Sequence, residues 1–112
     1  MACVHEFGIL DEIGRRKDYN EYEPHKYNCI PVDDDLINPL LPRLSKMKTY
    51  FHSLDRPAYG LAYCGITIIP PESLPLFYDA VTSSASAGEL QKLASIILQA
   101  REQNKHLIHF GI

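Results

Sequence analysis

The fold is decided in the second half of the chain by GLAYCGITIIPPESLPLFYDAV, at residues 60–81. Its first part, residues 60–69, is rich in β-branched and aromatic side chains, with apolar groups at both odd and even positions. This pattern is typical of a central strand that is covered on both faces. After the double proline, the apolar spacing over residues 74–81 lengthens to three or four, which predicts a short helix with Ser73 as its N-cap.

Two further elements follow this strand and helix. Ser86 and Glu89 stand in capping-box spacing before an apolar stripe, so we expect a longer helix that carries Lys105 near its C-terminus. Residues 106–112, HLIHFGI, alternate in character and contain few charges. We therefore expect them to form a terminal strand buried in the sheet, with the isoleucines and the phenylalanine on one face.

The first half of the chain adds shorter strands. Residues 4–10 and 27–32 are candidate strands because of their β-branched and aromatic content. Residues 49–54 form another candidate strand, and the aspartate, proline and glycine between 55 and 60 suit a turn that joins it to residues 60–69 as a hairpin.

A helical segment completes the expected architecture. The three aspartates at 33–35 suit a helix N-terminus, and Pro39 and Pro42 disturb the apolar helix that follows, so we expect Pro42 either to kink it or to confine it to short turns. The chain is therefore expected to be a single α+β domain over residues 1–112. Its core is a mixed sheet of four or five strands, with two or three helices packed on it.

Composition narrows the class of protein. The chain has 112 residues, of which 46% are hydrophobic and 22% are charged, with a formal net charge of −3. Because nucleic-acid binders usually carry a basic excess, this balance argues against one. No apolar run is long enough to cross a bilayer, so no membrane partner is expected. The three cysteines are odd in number and widely spaced, which favours free thiols in the cytoplasm.

Metal or cofactor binding is not expected from the residue spacing. Cys3 and His5, with His25 and Cys29 further along, lack the tight paired spacing of structural zinc sites. No phosphate-binding loop, nucleophile elbow or metalloprotease helix is present in the sequence.

A segment rich in tyrosine and carboxylate indicates a binding surface. Residues 1–35 hold nine acidic and four basic side chains. Tyrosine supplies contact area with few rotamers to freeze, and carboxylates steer a basic partner. The alternative is that these tyrosines pack locally on the sheet. The candidate partner-binding residues are Tyr19, Glu21, Tyr22, Glu23 and Tyr27.

A second polar cluster lies on the expected hairpin at 52–63. An imidazole, a carboxylate, a guanidinium and a phenol at a hairpin tip are able to do acid–base work or hold an anion. The alternative is ordinary turn chemistry, in which the aspartate caps the turn and the arginine pairs with it. The candidate catalytic residues are His52, Asp55, Arg56 and Tyr59.

These observations favour a small cytoplasmic protein-binding module, of the kind represented by acidic inhibitors and immunity-type proteins that occlude a basic partner. A small enzyme or ligand-binding protein with a polar site at the hairpin is the first alternative. A homodimeric structural protein that uses its exposed tyrosines as a self-interface is the second.

Overall fold

The computed structural model of the protein describes residues 3–11, 19 and 24–112. Six strands in this part of the chain form one sheet in the order β2-β1-β6-β5-β3-β4, and every neighbouring pair is antiparallel. The strands are β1 Val4–Leu10, β2 Ile30–Asp33, β3 Lys48–Phe51, β4 Pro57–Tyr59, β5 Ile66–Ile69 and β6 His106–Phe110. The helices are α1 Asp34–Ile37, α2 Leu41–Leu44, α3 Leu74–Thr82 and α4 Gln91–Glu102, with 3-10 turns at Pro24–Tyr27, Asn38–Leu40 and Pro71–Ser73.

Apolar side chains cover both faces of this sheet. On one face Phe7, Ile69 and Leu107 pack against the helices, whose buried residues include Phe77 and Ile97. On the other face a second cluster contains Leu10, Tyr19, Ile66, Ile68, Ile108 and Phe110. All four residues of β5 are buried, which confirms that this strand is covered on both sides.

The compact α+β architecture is confirmed, with two corrections to the sheet. It has six strands in the described part of the chain rather than four or five, because Pro57–Tyr59 forms a strand where a turn was expected. It is antiparallel rather than mixed. Helices α3 and α4 lead the chain back to the edge of the sheet at which β5 ends, so the next strand starts there. Consequently, β6 starts beside Ile69, which pairs with Leu107, and runs back along β5.

The expected hairpin of 49–54 with 60–69 is also corrected. Strand β3 pairs with β4 on one side and with β5 on the other. Residues 60–65 are not a strand, because Gly60 and Gly65 adopt φ values of +73° and +120° that extended pairing does not allow. The hydroxyl of Thr67 instead accepts the backbone N–H of Ala62 at 2.8 Å and holds this loop against β5.

The prolines limit the length of the helices that follow Asp33. Pro39 and Pro42 do confine the segment after Asp33 to short turns, and the Asp33 carboxylate accepts the N–H of Asp35 at 3.1 Å. Ser73 makes no capping bond, because its hydroxyl donates to the carbonyl of Lys48 at 2.6 Å.

Two expectations about the C-terminal elements need correction. Helix α4 begins at Gln91 rather than Ser86, and no side chain caps it. The terminal strand ends at Phe110, and Ile112 is 36% exposed. In the described part of the chain, no helix has the length and apolar character that crossing a membrane requires.

Candidate functional site: a buried histidine pair beneath an acidic face

Two histidines meet inside the molecule on the helical face of the sheet. His109 on β6 pairs with Phe7 on β1, so His5, two residues earlier on β1, lies diagonally beside it on the same face. Both side chains are fully buried. His5 Nδ1 and His109 Nε2 are 2.8 Å apart, and the two rings stack with centroids separated by 5.1 Å. This distance means that the two rings share one hydrogen bond.

The pair is connected to the surface through Asp34. His5 Nε2 lies 2.8 Å from Asp34 Oδ1, and the phenol of Tyr63 donates to Asp34 Oδ2 at 2.9 Å. Asp34 occupies the first turn of α1, where its backbone N–H is bound by the carbonyl of Cys3. Tyr63 is 41% exposed in the loop between β4 and β5. The arrangement therefore runs from a buried ring to a side chain that faces solvent.

Hydrogen bonds also shift the ionisation of these two outer groups. The hydrogen bond from His5 holds the pKa of the Asp34 carboxyl below its usual range, with a smaller contribution in the same direction from the Tyr63 phenol. The same bond to Asp34 raises the pKa of Tyr63, so the phenol stays protonated and acts as a donor. The carboxylate is thus kept ionised between two donors.

Donor rules assign the hydrogens when both rings are neutral. A carboxylate only accepts, so His5 Nε2 carries the hydrogen and His5 Nδ1 accepts from His109 Nε2. His109 Nδ1 is then an acceptor for the Thr67 hydroxyl, 3.3 Å away. Burial, reinforced by the neighbouring His5, lowers the pKa of His109 to about 3, so this ring is neutral at physiological pH. We call Tyr63, Asp34, His5, His109 and Thr67 the histidine network.

A surface patch surrounds the outer end of this network. Asp33 and Asp35 are exposed on either side of Asp34, and Tyr63 lies against the same turn. In the described ranges, no Lys or Arg side chain forms a salt bridge with any of these three carboxylates. We call Asp33, Asp34, Asp35 and Tyr63 the acidic face.

Two of the hairpin residues predicted as catalytic, His52 and Arg56, make separate structural contacts. His52, at φ +65°, places its Nδ1 2.9 Å from the carbonyl of Tyr19 and so donates to it, while its own carbonyl accepts the Tyr19 N–H at 2.8 Å. Arg56 lies over the ring of Phe51 at 4.9 Å. These contacts fasten neighbouring backbone and side chains.

The other two hairpin residues lie at the surface. Asp55 is exposed, and Tyr59 is 71% exposed on the edge strand β4. Within the described residues, neither Asp55 nor Tyr59 forms a hydrogen bond or an ion pair with the side chains of the other two candidates. A shared catalytic role for the four stays a prediction.

The predicted binding segment is only partly described. Tyr19 is 4% exposed and packs in the second core, and Tyr27 is half-buried with its ring 6.1 Å from that of Phe110. Both tyrosines pack against the sheet, and a role for them in partner binding stays a prediction. Glu21, Tyr22 and Glu23 lie outside the described residues, so their role remains a prediction.

Sequence reasoning missed the histidine network. His5 alternates in phase with Phe7, and His109 in phase with Leu107, which are both core residues. A histidine in phase with the apolar face of a strand has to find a polar partner when it is buried, and this signal was available.

Comparisons with family models, with curated proteins and with solved structures found no match for this chain. Within residues 3–11, 19 and 24–112, no group of three or more His, Cys, Asp or Glu side chains is arranged to hold a metal ion. The function is therefore inferred from the geometry of the chain itself.

Proposed function

We propose that this protein is a small binding module that occludes a basic protein partner with its acidic face. The observation that carries the proposal is the exposed ring of Tyr63, which is fixed by its 2.9 Å hydrogen bond to Asp34 in a turn of three aspartates. A tyrosine held in one orientation loses little conformational entropy on binding, because the cost has been met during folding.

The charges of the acidic face suit a cationic partner. Asp33 and Asp35 are exposed, so their field reaches solvent and raises the association rate of a basic protein. Asp34 is held ionised by its two donors. Together these groups resemble the combination of an aromatic anchor with a charged rim that is common in protein interfaces.

A cytoplasmic location and a role as an inhibitor or immunity-type protein are part of the same proposal. All three cysteines are free thiols, which suits a reducing cytoplasm. An inhibitor or immunity-type protein needs a rigid surface more than a catalytic pocket, and the fixed Tyr63 supports that role. Self-association through the tyrosines remains the competing use of the same surface.

The experiment is affinity capture from native cells with the wild-type protein as bait and the Tyr63→Ala variant as a parallel bait. We expect a basic protein to be retained by the wild type and depleted with the variant. Once it is identified, Tyr63→Ala should weaken its binding by about tenfold to a hundredfold, the range of interface hot spots. Tyr59→Ala, which removes an exposed tyrosine outside the acidic face, is the matched control and should bind like the wild type.

Charge variants separate steering from contact. The double variant Asp33→Asn, Asp35→Asn should slow association, and the loss should shrink as the salt concentration rises. The proposal fails if Tyr63→Ala and the double variant bind the captured protein as the wild type does. It also fails if sedimentation shows a stable dimer that Tyr63→Ala dissociates, because the face then serves self-association.

A further inference from the structure

The histidine network has room for one additional proton. His5 Nδ1 and His109 Nε2 are 2.8 Å apart, and in the neutral state they share a single hydrogen. Two imidazolium rings at that distance repel strongly, so the buried pair does not carry two charges. If one proton is taken from the solvent, both nitrogens of His5 become donors, and His109 has to accept at Nε2.

Protonation of His5 therefore forces a tautomer change in His109. The hydrogen of His109 moves from Nε2 to Nδ1, where it faces the Thr67 oxygen at 3.3 Å. That oxygen already accepts the N–H of Ala62 and has a second lone pair for the new bond. The Thr67 hydroxyl hydrogen turns away. One proton is gained and none is released.

The surroundings decide which ring carries the charge. His5 lies 2.8 Å from the Asp34 carboxylate, whereas His109 contacts Thr67 and the ring of Phe7, at 4.8 Å between centroids. An imidazolium is favoured beside a carboxylate and disfavoured in a buried site that offers it no counter-charge. The charge therefore rests on His5.

Among the residues that the structure describes, the titratable and charged groups that face the pair come from two segments. They are Asp34 on α1 and Tyr63 in the β4–β5 loop, whose ring centroid is 5.8 Å from that of His5. The thiols of Cys3 and Cys64 lie further out and act on Tyr63. In the described ranges the pair also has uncharged neighbours, which are Val32 on β2, Phe7 on β1, Thr67 on β5 and, behind Phe7, Phe77 on α3.

We infer that the His5–His109 pair is a one-proton switch that sets the charge of the acidic face, and that acidification weakens the hold of this face on a basic partner. The binding half of this inference rests on the proposed function. An imidazolium at 2.8 Å compensates the Asp34 carboxylate, so the face becomes less negative by one unit. One unit of charge roughly 8 Å from a partner cation changes affinity by about twofold to fourfold in a largely aqueous environment.

The switch itself is tested without a partner. Imidazole ¹⁵N NMR of the folded protein is recorded from about pH 8 to about pH 5, the range in which histidine commonly titrates. We expect His109 to change from the Nε2–H to the Nδ1–H form while His5 gains a hydrogen on Nδ1, at one common midpoint. Independent titration of the two rings, or an unchanged His109 tautomer in a folded protein, overturns the inference.

Two surface variants test the role of the carboxylate. Asp34→Asn removes the group that stabilises a charged His5 and should move the common midpoint to lower pH by about one unit or more. Asp35→Asn removes the same charge from the same turn but leaves the partner of His5 in place, so its midpoint should stay within about 0.3 units of the wild type. Equal shifts in both variants overturn the switch, because they indicate only a general field.

The binding half uses a short peptide of alternating lysine and glycine as the probe. At low salt the wild type should bind it about twofold to fourfold more weakly at about pH 5.5 than at about pH 7.5. Asp35→Asn should keep this pH dependence and Asp34→Asn should lose it. An equal pH dependence in both variants refutes the coupling. If the peptide binds at neither pH while the ¹⁵N switch is present, the binding half of the inference is overturned and the proton switch stands.

Discussion

The hairpin end at residues 52–59 and the histidine network contain similar side chains, and the fold uses them differently. In the hairpin, His52 and Arg56 are close in sequence, but one fastens the backbone at Tyr19 and the other covers Phe51. In the network, His5 and His109 are 104 positions apart and share a hydrogen bond inside the molecule.

This contrast shows that closeness in sequence is a poor guide to a polar site in a small α+β protein. A hairpin tip lies in water, so its polar groups are satisfied without meeting one another. Buried polar groups have no such freedom, because an unpaired one costs about 1 to 3 kcal/mol. A buried histidine consequently selects a partner from another strand.

The largest effect is expected from removing residues 106–112, which deletes the strand that carries His109. Strand β6 lies between β1 and β5, and four of its five residues are buried. Each large apolar side chain lost is worth about 1.5 to 3 kcal/mol, against a total stability of about 5 to 15 kcal/mol. Thermal unfolding followed by circular dichroism should show no cooperative transition. Deletion of Ile112 alone is the control and should melt cooperatively, and a cooperative melt of the longer deletion near the wild-type midpoint would show that β6 is dispensable.

Alanine substitution compares the two histidines directly. His109→Ala leaves a cavity and removes the donor to His5, so it should cost about 3 to 5 kcal/mol in the free energy of unfolding. His52→Ala removes a bond to a backbone carbonyl in a half-buried position and should cost about 1 kcal/mol. Urea unfolding measures both, with His109→Gln as a volume-conserving control that keeps an amide donor. Equal costs for the two alanine variants would remove the distinction between hairpin and network.

Acidification should destabilise the fold through His109. Its pKa is about 3 in the folded protein and about 6.5 when unfolded, so between these values the unfolded chain binds an extra proton. The contribution of His109 to stability is therefore complete above about pH 6.5 and is lost as the pH drops towards 3, with a slope that approaches about 1.4 kcal/mol per pH unit. Urea unfolding at several pH values measures this slope. His109→Gln should flatten it and His52→Gln should not, and the reverse result would assign the acid sensitivity to the hairpin.

The smallest expected effect is a difference in thiol reactivity. Two cysteines lie near the outer end of the histidine network, and the third packs on the opposite face of the sheet. Cys3 and Cys64 are exposed, whereas burial and the nearby Glu6 raise the pKa of Cys29 to about 12. At mildly alkaline pH, alkylation should therefore modify Cys3 and Cys64 rapidly and Cys29 slowly, because the thiolate is the reactive form. Mass spectrometry after denaturation without a reductant should show three adducts. Rapid labelling of Cys29 in the folded protein would contradict its placement, and a missing adduct would indicate a disulfide.

Much of the secondary structure was predictable because its signals are local. Strand β1 matches the expected residues 4–10, and α3 matches the change of apolar period after the double proline. The sequence pattern predicts β5 to begin at residue 60 rather than at Ile66, because it does not reveal the positive φ values of Gly60 and Gly65. The sequence pattern predicts too early a start for α4, because Ser86 and Glu89 satisfy the capping-box spacing without capping the helix.

The candidate site was predictable only in its parts. The sequence predicts Asp34 at a helix start and Tyr63 on the 52–63 hairpin, but it indicates a partner for neither side chain. One of the five residues predicted to bind a partner, Tyr19, is 4% exposed and packs in the second core. An exposed and a buried tyrosine have the same sequence signal, since the ring is apolar and the hydroxyl is polar.

The sequence by itself determined where β1 and α3 form, which faces are apolar, and how prolines shorten the segment after Asp33, since these properties depend on neighbours along the chain. Only the tertiary structure decided that β6 inserts between β1 and β5, and this single choice brings His109 beside His5. Strand order depends on how much apolar surface the two sheet faces bury and on the path along which α3 and α4 lead the chain back to the sheet. Both properties depend on contacts between distant parts of the molecule. A hydrogen bond between residues 104 positions apart is a consequence of those distant contacts, and no local pattern specifies it.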